Sequence, residues 1–250
     1  MLAGNSIISK AIAEGWWTAH RDGVKLGVDQ LKIGPHSIDV SLGGIFIVPE
    51  PFRDPAKPFL EEASRRILLD PYDENQKEVR YRTVEAEFYD LHPGEFILSC
   101  VRERFDCGKP VPFAHQSVQS GPTVYGGRTP QSVVTLSERC TQHYDGRSTM
   151  GRLGIISHAT AGYGDLGFAS NFTLELTNLN PYIAIRLHRG MRIGQVSFHA
   201  VANTGEAVEY QGSYTQQHDV PVAPRLGATK FLQPGEGFNP ASIFKRDPPT

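Results

Sequence analysis

Length, composition and charge exclude several classes of protein. The chain has 250 residues and a mass of 27.6 kDa, which is enough to bury a substantial core in one main domain. Hydrophobic residues make up 39% and charged residues 21%, as in ordinary globular proteins. The formal net charge of −2 provides no basic field for a nucleic-acid polymer or an anionic membrane, so any anion must be bound by a local cluster.

The cysteines and the absence of long apolar segments in the sequence favour the cytoplasm. Cys100, Cys107 and Cys140 are odd in number and form no close pair, so a disulfide framework is not expected. The first 17 residues contain no continuous hydrophobic region, and no later stretch approaches the roughly 20 apolar residues that span a bilayer. We therefore expect a soluble, untargeted protein with reduced thiols.

The chain begins with a predicted amphipathic helix. It runs from Ser6 to Glu14, with Asn5 or Ser6 as the expected N-cap and Gly15 as the expected stop. Its apolar stripe is formed by Ile7, Ile8, Ala11 and Ile12. A second helical pattern covers residues 59–68, and elsewhere the helical period fades.

Short apolar runs dominate the rest of the chain, separated by turns that use many of the 25 glycines and 18 prolines. The clearest strand is Phe172 to Thr177, where apolar and polar residues alternate. Strands at 183–187 and 193–198 follow it after short turns, which predicts an antiparallel meander. Earlier candidates are residues 45–48, 95–101, 133–136 and 154–158. The pattern predicts a mainly β fold, a sandwich or distorted barrel with a short N-terminal helix and minor helices.

Two segments have little apolar periodicity. Residues 106–128 are rich in Pro, Gly, Ser and Gln, which is typical of a long loop or an insertion. The stretch 226–250 is also irregular. We therefore expect one domain over residues 1–225, with an inserted loop around 106–140, and a C-terminal extension over 226–250.

The densest polar cluster lies between Asp145 and Arg152, directly before an apolar run. Its two guanidinium groups and two hydroxyls, beside two glycines, suit phosphate oxygens. These groups belong to Arg147, Ser148, Thr149 and Arg152. A helix start or turn with arginines in solvent explains the same spacing, and both interpretations stay open here.

Two further features have both a functional and an ordinary explanation. The run from His158 to Phe168 contains three glycines and Asp165, which suits a binding loop but also a glycine-rich hairpin. Glu175 lies on the polar face of the clearest strand, where a solvated glutamate is the usual occupant. A general base needs a partner and a substrate within reach, so the role of Glu175 depends on what it faces.

Taken together and in this order, these segments resemble the dCTP deaminase family of the dCTP deaminase/dUTPase superfamily. The similarity extends over roughly residues 5–225, interrupted around 106–140 and around 50–80. The matching motifs are residues 37–43 (SIDVSLG), 92–95 (HPGE), 146–154 (GRSTMGRLG), 158–162 (HATAG) with Asp165, 173–178 (TLELTN) with Pro181, and 190–195 (GMRIGQ).

The resemblance implies a dUTPase-like β fold that assembles as a homotrimer, with sites for dCTP or dUTP at subunit interfaces. Glu175 matches the carboxylate that activates water for attack at cytosine C4. Ser148 and Arg152 match residues that position this water and carboxylate. A C-terminal segment is expected to close over the nucleotide, with Tyr210 and Gln216 as its contacts, although the family's lysine is missing from this tail.

The resemblance also implies the substrate-binding residues. Arg147 and Thr149 match phosphate-binding positions, and Ala161 matches a backbone position beside the base. Asp165 corresponds to the acidic residue near the deoxyribose, which is the catalytic aspartate in related dUTPases. Thr173 belongs to the same predicted site.

The expected metal chemistry follows from the motifs. Zinc deaminases use H-x-E and P-C-x-x-C motifs to hold zinc, and neither occurs here, so we expect a zinc-independent enzyme in which His158 is a packed or turn-forming residue. Magnesium is expected on the nucleotide phosphates, with no protein side chain as a ligand.

The outcome of the reaction is left open. A monofunctional enzyme would release dUTP and ammonia, and a bifunctional enzyme would continue to dUMP and pyrophosphate. A dUTPase acting only on dUTP and a catalytically silent nucleotide-binding relative are the alternatives. The family's usual motif around Asp165 is altered here to Gly164, Asp165 and Leu166, whereas retention of Glu175 favours deamination.

Overall fold

The structure, a computed structural model, describes residues 2–51, 79–107, 136–159, 161–202, 210 and 218–221. The chain divides into two compact units, Met1–Val48 with Arg82–Ala223, and Pro49–Tyr81 with Pro224–Thr250. Nearly all described residues belong to the first unit. The predicted helix at 59–68 and the extension at 226–250 lie outside the described residues.

The N-terminal helix is present, with one correction at its start. Helix α1 covers Asn5–Ala13, and its N-cap is Gly4, which makes no side-chain capping bond, so neither Asn5 nor Ser6 caps it. The predicted stop is confirmed, because Gly15 adopts a φ of +72° and its amide donates to the Ile12 carbonyl. Most of the predicted apolar stripe is buried, namely Ile8, Ala11 and Ile12.

Strands form most of the described remainder, with a 3₁₀ turn at Val28–Gln30 and helix α2 at Ser148–Arg152. In chain order the strands are β1 (Thr18–Arg21), β2 (Val24–Leu26), β3 (Ser37–Ser41), β4 (Ile45–Pro51), β5 (Val79–Glu85), β6 (Phe88–Leu91), β7 (Phe96–Asp106), β8 (Leu136–Gly146), β9 (Ile155–Ile156), β10 (Tyr163–Gly164), β11 (Asn171–Asn178), β12 (Ile185–His188) and β13 (Arg192–Ala202).

Two larger sheets pack face to face around the core. One has the order β2-β1-β7-β11-β9, with β4 pairing both β5 and β7, and the other has the order β10-β8-β13-β3. Their inner faces meet where Phe105 packs edge-on against Phe198, with ring centres 5.4 Å apart, and where Tyr144 packs against Phe172 at 5.9 Å. The predicted mainly β fold with a short N-terminal helix is confirmed.

The predicted meander is wrong, although its strands exist. β11 belongs to the seven-stranded sheet, β13 to the four-stranded sheet, and β12 pairs only with β6 in a small third sheet of the described residues. Alternation identified the buried face of β11, where Phe172, Leu174 and Leu176 are buried. It carries no information about which strand lies alongside, so chain order was a poor guide to pairing.

Strand ends also differ from the predictions. β12 begins at Ile185 rather than 183, and β9 is shorter than the predicted 154–158. β7 continues to Asp106 and β8 begins at Leu136, so both strands extend into the ends of the predicted insertion. Residues 108–135 between them lie outside the described residues. β8 was missed from residue 137 onward because its polar residues hide the alternation.

A buried carboxylate ties β7 to its neighbours. Glu103 is 1% exposed, and its Oε1 lies 2.7 Å from Nε of Arg21. Ser41 donates to the same carboxylate from its backbone amide at 2.7 Å and from its hydroxyl at 2.8 Å. The charge is therefore fully engaged by partners from both larger sheets, as a buried carboxylate requires.

Candidate active site

β11 presents Glu175 on its less buried face. Buried and half-buried residues alternate along this strand, and Thr173, Glu175 and Thr177 share the half-buried side. The Glu175 side chain is 26% exposed, so it is neither sealed in the core nor the freely solvated glutamate that strand pattern alone suggests. Glu175 therefore keeps access to solvent while it is held by protein groups.

The segment that faces Glu175 is fixed by Tyr144 of β8. The Tyr144 amide donates to the Gly162 carbonyl at 2.7 Å, and its hydroxyl donates to Oγ of Ser157 at 3.0 Å. A Cβ atom at Gly162 would lie 2.7 Å from the Tyr144 carbonyl oxygen, so only glycine allows this approach. Burial raises the pKa of the Tyr144 phenol, which keeps it a hydrogen-bond donor.

Two groups of this segment contact the Glu175 carboxylate. The Ala159 amide donates to Oε2 at 2.9 Å, and Nδ1 of His158 lies 2.8 Å from the same oxygen, although the ring is not aligned for a hydrogen bond. His158 is 9% exposed and packs against Tyr144 with ring centres 5.5 Å apart. Glu175, His158 and Ala159 form what we call the Glu175 cluster, a carboxylate oriented by a backbone amide and an imidazole.

The polar loop before β9 has a different arrangement. Arg147 is the N-cap of α2, and its Nη1 lies 2.5 Å from Oδ1 of Asp39 on β3. Ser148, Thr149 and Arg152 on α2 are exposed. The ordinary explanation as a helix start is therefore correct locally. It is compatible with phosphate binding, since the hydroxyls of Ser148 and Thr149 and the guanidinium of Arg152 are exposed along the short helix that Arg147 caps.

Asp165 begins a tight turn. Its carbonyl accepts the Phe168 amide at 3.0 Å, and β10 before it pairs with β8, so the hairpin interpretation of this segment is also correct. Tyr210 lies against the turn, because its amide donates to the Leu166 carbonyl at 2.8 Å and its ring lies 6.5 Å from that of Phe168. Asp165 itself is exposed.

A cavity of about 390 Å³ lies behind this turn rather than at Glu175. Burial, followed by the charges of Arg104 and Lys25, lowers the pKa of His20 at its wall. We place the candidate chemistry at the Glu175 cluster because it holds an oriented carboxylate with solvent access. The cavity is lined by Thr18, His20, Arg104, Asp106, Gly167, Phe168, Ala169, Ser170, Tyr210 and His218.

The described part of the chain contains no group of three or more His, Cys, Asp or Glu side chains that is placed to hold a metal ion. Cys100, Cys107 and Cys140 are buried and unpaired. Burial raises the pKa of Cys100 and of Cys140 to about 12 and that of Cys107 well above its usual value, so these thiols stay protonated at neutral pH.

The structure brings together part of the predicted site. Glu175 meets the segment that begins at His158, and Tyr210 meets the turn after Asp165. Arg147 pairs with Asp39, whereas Ala161 is exposed and Thr173 half-buried. Gln216 lies outside the described residues. The functional roles of these residues stay predictions.

Four contributors were missed in the sequence, and each had a signal. His158 and Ala159 stand in the same motif as Ala161. His158 packs against Tyr144, as the expectation of a packed or turn-forming residue has it, and only its proximity to Glu175 was not predicted. Asp39 and Arg192 stand in two of the other matching motifs, residues 37–43 and 190–195. Their positions were visible, but strand pairing was needed to show that they meet Arg147.

Comparisons with known proteins identify the family of this chain. Residues 129–201 match the family model described as dCTP deaminase-like. The protein from Dictyoglomus thermophilum named "dCTP deaminase, dUMP-forming" is 31% identical over 230 residues, covering 90% of this chain and 95% of that protein. Proteins of the same name from Dictyoglomus turgidum and Streptomyces avermitilis are 32% and 30% identical over 79% of this chain, and 82% and 83% of their own lengths are covered.

A solved structure is also similar, the 2′-deoxycytidine 5′-triphosphate deaminase from Agrobacterium tumefaciens, with a TM-score of 0.44 and 17% identity. The alignment covers 80% of this chain and 48% of that one. Among the described residues, no helix combines the length and apolar character needed to cross a membrane. With 31% identity over nearly the whole of both proteins, the chain belongs to the dCTP deaminase family.

Proposed function

We propose that this protein hydrolyses the C4 amino group of dCTP and carries the product on to dUMP, with Glu175 as the general base of the first step. The observation that carries the proposal is the Glu175 carboxylate, held by the Ala159 amide and His158 and still 26% exposed. The words "dUMP-forming" in the names of the relatives support the second step.

The deamination needs a base that later becomes an acid. Glu175 accepts a proton from water as the water oxygen bonds to C4, and it passes that proton to ring N3. It then moves the proton of the new hydroxyl to the amino group, the C4–N bond breaks, and ammonia leaves as the C4 carbonyl forms. The net change is dCTP plus water to dUTP plus ammonia.

Residues of the α2 region would hold the rest of the substrate. Ser148 and Arg152 would position the water and the carboxylate, while Arg147 and Thr149 would bind phosphate oxygens. Ser148, Thr149 and Arg152 are exposed on α2, and Arg147 at its N-cap is 30% exposed, which leaves these groups available to a ligand. Ala161 would lie beside the base and Thr173 at the same face of β11 as Glu175.

The second step consumes another water at the α-phosphorus, so that dUTP becomes dUMP and pyrophosphate. Asp165 is the candidate base for this step. It is exposed at the turn that Tyr210 contacts, and the tail that continues from Tyr210 through Gln216 would exclude bulk water from the reaction.

Magnesium would be held through the nucleotide phosphates, where it would neutralise part of their charge. The hydroxyls and guanidinium groups near α2 would bind the phosphate oxygens of this complex without ligating the ion. Zinc is not part of the proposal, since the H-x-E and P-C-x-x-C motifs that hold zinc in other deaminases do not occur in the sequence. We expect activity to survive exhaustive zinc chelation and to require added magnesium. Loss of activity that zinc specifically restores would contradict this.

A homotrimer with sites between subunits is also proposed. Several apolar side chains near α2 are exposed. Strand pairing places Phe96 and Ile156 on either side of Thr177. The bond from the Leu179 amide to the Gly154 carbonyl brings Leu179 next to the end of α2. Such patches mark subunit contacts. The patch consists of Phe96, Leu153, Ile156, Leu179, Tyr182 and Ile183.

Subunit complementation tests this arrangement. Glu175→Gln and Arg152→Ala variants are each expected to be inactive alone, whereas their co-expressed mixture should regain activity if one site combines Glu175 and Arg152 from different subunits. A mixture as inactive as either variant would show that both residues act from one chain. Light scattering on the wild type should give three times the mass of 27.6 kDa.

Product analysis tests the function itself. The purified protein is incubated with magnesium and dCTP, dUTP or dCMP, and the products are separated by chromatography. Formation of dUMP, ammonia and pyrophosphate from dCTP supports the proposal, and accumulation of dUTP would restrict it to deamination. Turnover of dUTP alone would favour the dUTPase, and turnover of none of these nucleotides would favour the catalytically silent relative.

A cytoplasmic location, without nucleic-acid or membrane partners, remains part of the proposal.

A further inference from the structure

Three charged side chains meet beside the start of α2. Asp39 lies between two arginines, with Oδ1 2.5 Å from Nη1 of Arg147 and Oδ2 3.1 Å from Nη1 of Arg192. Asp39 is 14% exposed, whereas Arg147 is 30% and Arg192 50% exposed. The carboxylate is thus largely covered, and the two guanidinium groups reach solvent.

Strand pairing produces this meeting. β3, β13 and β8 are neighbours in the four-stranded sheet. Asp39 of β3 lies opposite Gln195 of β13, and Arg192 stands at the start of β13. The Arg147 amide, just after β8, donates to the Ile193 carbonyl. Arg147 and Arg192 therefore come from adjacent strands and are joined by one acid.

The charges do not cancel. Two guanidinium groups and one carboxylate leave a net charge of +1 beside the hydroxyls of Ser148 and Thr149. Each guanidinium has five N–H donors, and each contact with Asp39 uses Nη1. Arg147 already neutralises the largely covered Asp39 carboxylate. The pair with Arg192, which is 50% exposed, contributes about 0–1 kcal/mol, so folding gives little reason for a second arginine here.

We propose that Arg192 binds the terminal phosphates of the nucleotide together with Arg147, and that Asp39 is a positioning residue that sets the spacing of the two guanidinium groups. This inference rests on the proposed function, because it extends the same phosphate site. Planar guanidinium forks bind phosphate oxygens in pairs. The arrangement selects triphosphates over monophosphates, which have no group that reaches the second arginine.

A matched pair of arginine variants tests the inference. Arg186 is 52% exposed and pairs with Asp90 in the small sheet, so it resembles Arg192 in exposure and pairing but not in location. KM for dCTP and calorimetric affinity for inorganic tripolyphosphate with magnesium are measured for Arg192→Ala and Arg186→Ala. Arg192→Ala should weaken both roughly tenfold or more, and Arg186→Ala less than about twofold.

Asp39→Asn provides the positioning readout. It should raise KM for dCTP far more than it lowers kcat. In the double variant with Arg192→Ala it should raise KM little further, since both changes disrupt the same arrangement. In the double variant with Arg186→Ala the two effects on KM should simply add, since the sites are independent. Equal effects of Arg192→Ala and Arg186→Ala on tripolyphosphate affinity would overturn the inference. Absence of dCTP turnover in the wild type would overturn the proposed function instead, and the tripolyphosphate measurement would still decide the role of Arg192.

Discussion

Two glutamates on neighbouring strands of one sheet have contrasting surroundings. Glu103 on β7 is 1% exposed and accepts from Arg21 and twice from Ser41. Glu175 on β11 is 26% exposed and contacts a backbone amide and an imidazole. A carboxylate neutralised by a cation inside the sheet serves packing, whereas one that is oriented and still reaches solvent can exchange protons. The partners of each carboxylate therefore distinguish their roles.

The largest effect should come from removing the proton acceptor at Glu175. Glu175→Gln keeps the shape of the side chain but cannot take a proton from water, so kcat for deamination should fall by roughly 10²–10⁴-fold. The urea midpoint should stay close to that of the wild type. Ammonia release from dCTP measures kcat, and urea unfolding measures the midpoint. Near wild-type turnover in a folded variant would remove Glu175 from the mechanism.

The same substitution at Glu103 should have the reverse outcome. Glu103→Gln removes the charge that faces Arg21 and weakens the bonds from Ser41, so the free energy of unfolding should fall by about 2–3 kcal/mol. Activity per folded molecule should be retained, because Glu103 contacts no group of the Glu175 cluster among the described residues. Urea unfolding followed by tryptophan fluorescence measures the loss. A stable variant with lost turnover would reverse the assignments of the two glutamates.

The sequence could predict the alternation that exposes one face of β11, and the family motifs located both the arginine loop and Glu175. Alternation alone could not show which of Glu175 and Glu103 reaches solvent, because the partners of each carboxylate come from distant segments. Residues 62 positions apart, Ser41 and Glu103, supply such contacts. Strand pairing, which the meander prediction missed, determines those partners.

Arg147→Ala should affect binding rather than proton transfer or stability, which separates the phosphate end from both glutamates. Loss of one charge-assisted phosphate contact should weaken triphosphate affinity roughly ten- to a hundredfold. Calorimetry with dUTP on a Glu175→Gln background measures binding without turnover. Unchanged affinity would make the Arg147–Asp39 pair an ordinary surface contact.

The smallest effect should come from His158, which separates orientation of the Glu175 carboxylate from its chemistry. His158→Asn removes the imidazole 2.8 Å from Oε2 but leaves the Ala159 amide bond in place. One of two orienting groups therefore remains. Because the imidazole is not aligned for a hydrogen bond, its contribution should stay below the roughly 1 kcal/mol of a typical hydrogen bond, so kcat should fall by less than about fivefold, with KM for dCTP little changed.

His143→Asn is the matched control. His143 also stands near a carboxylate, with Nδ1 3.3 Å from Oδ2 of Asp145 on the same strand, but it contacts no part of the Glu175 cluster in the described residues. If His158 acts only by packing against Tyr144, its loss should lower the unfolding midpoint and leave kcat per folded molecule at the level of His143→Asn. A drop in kcat that is confined to His158→Asn, without a drop in stability, requires that the imidazole orients the carboxylate. In that case the Glu175 cluster needs both of its contacts to present Glu175 to water, whereas Glu103, at 1% exposure, is shielded from bulk solvent.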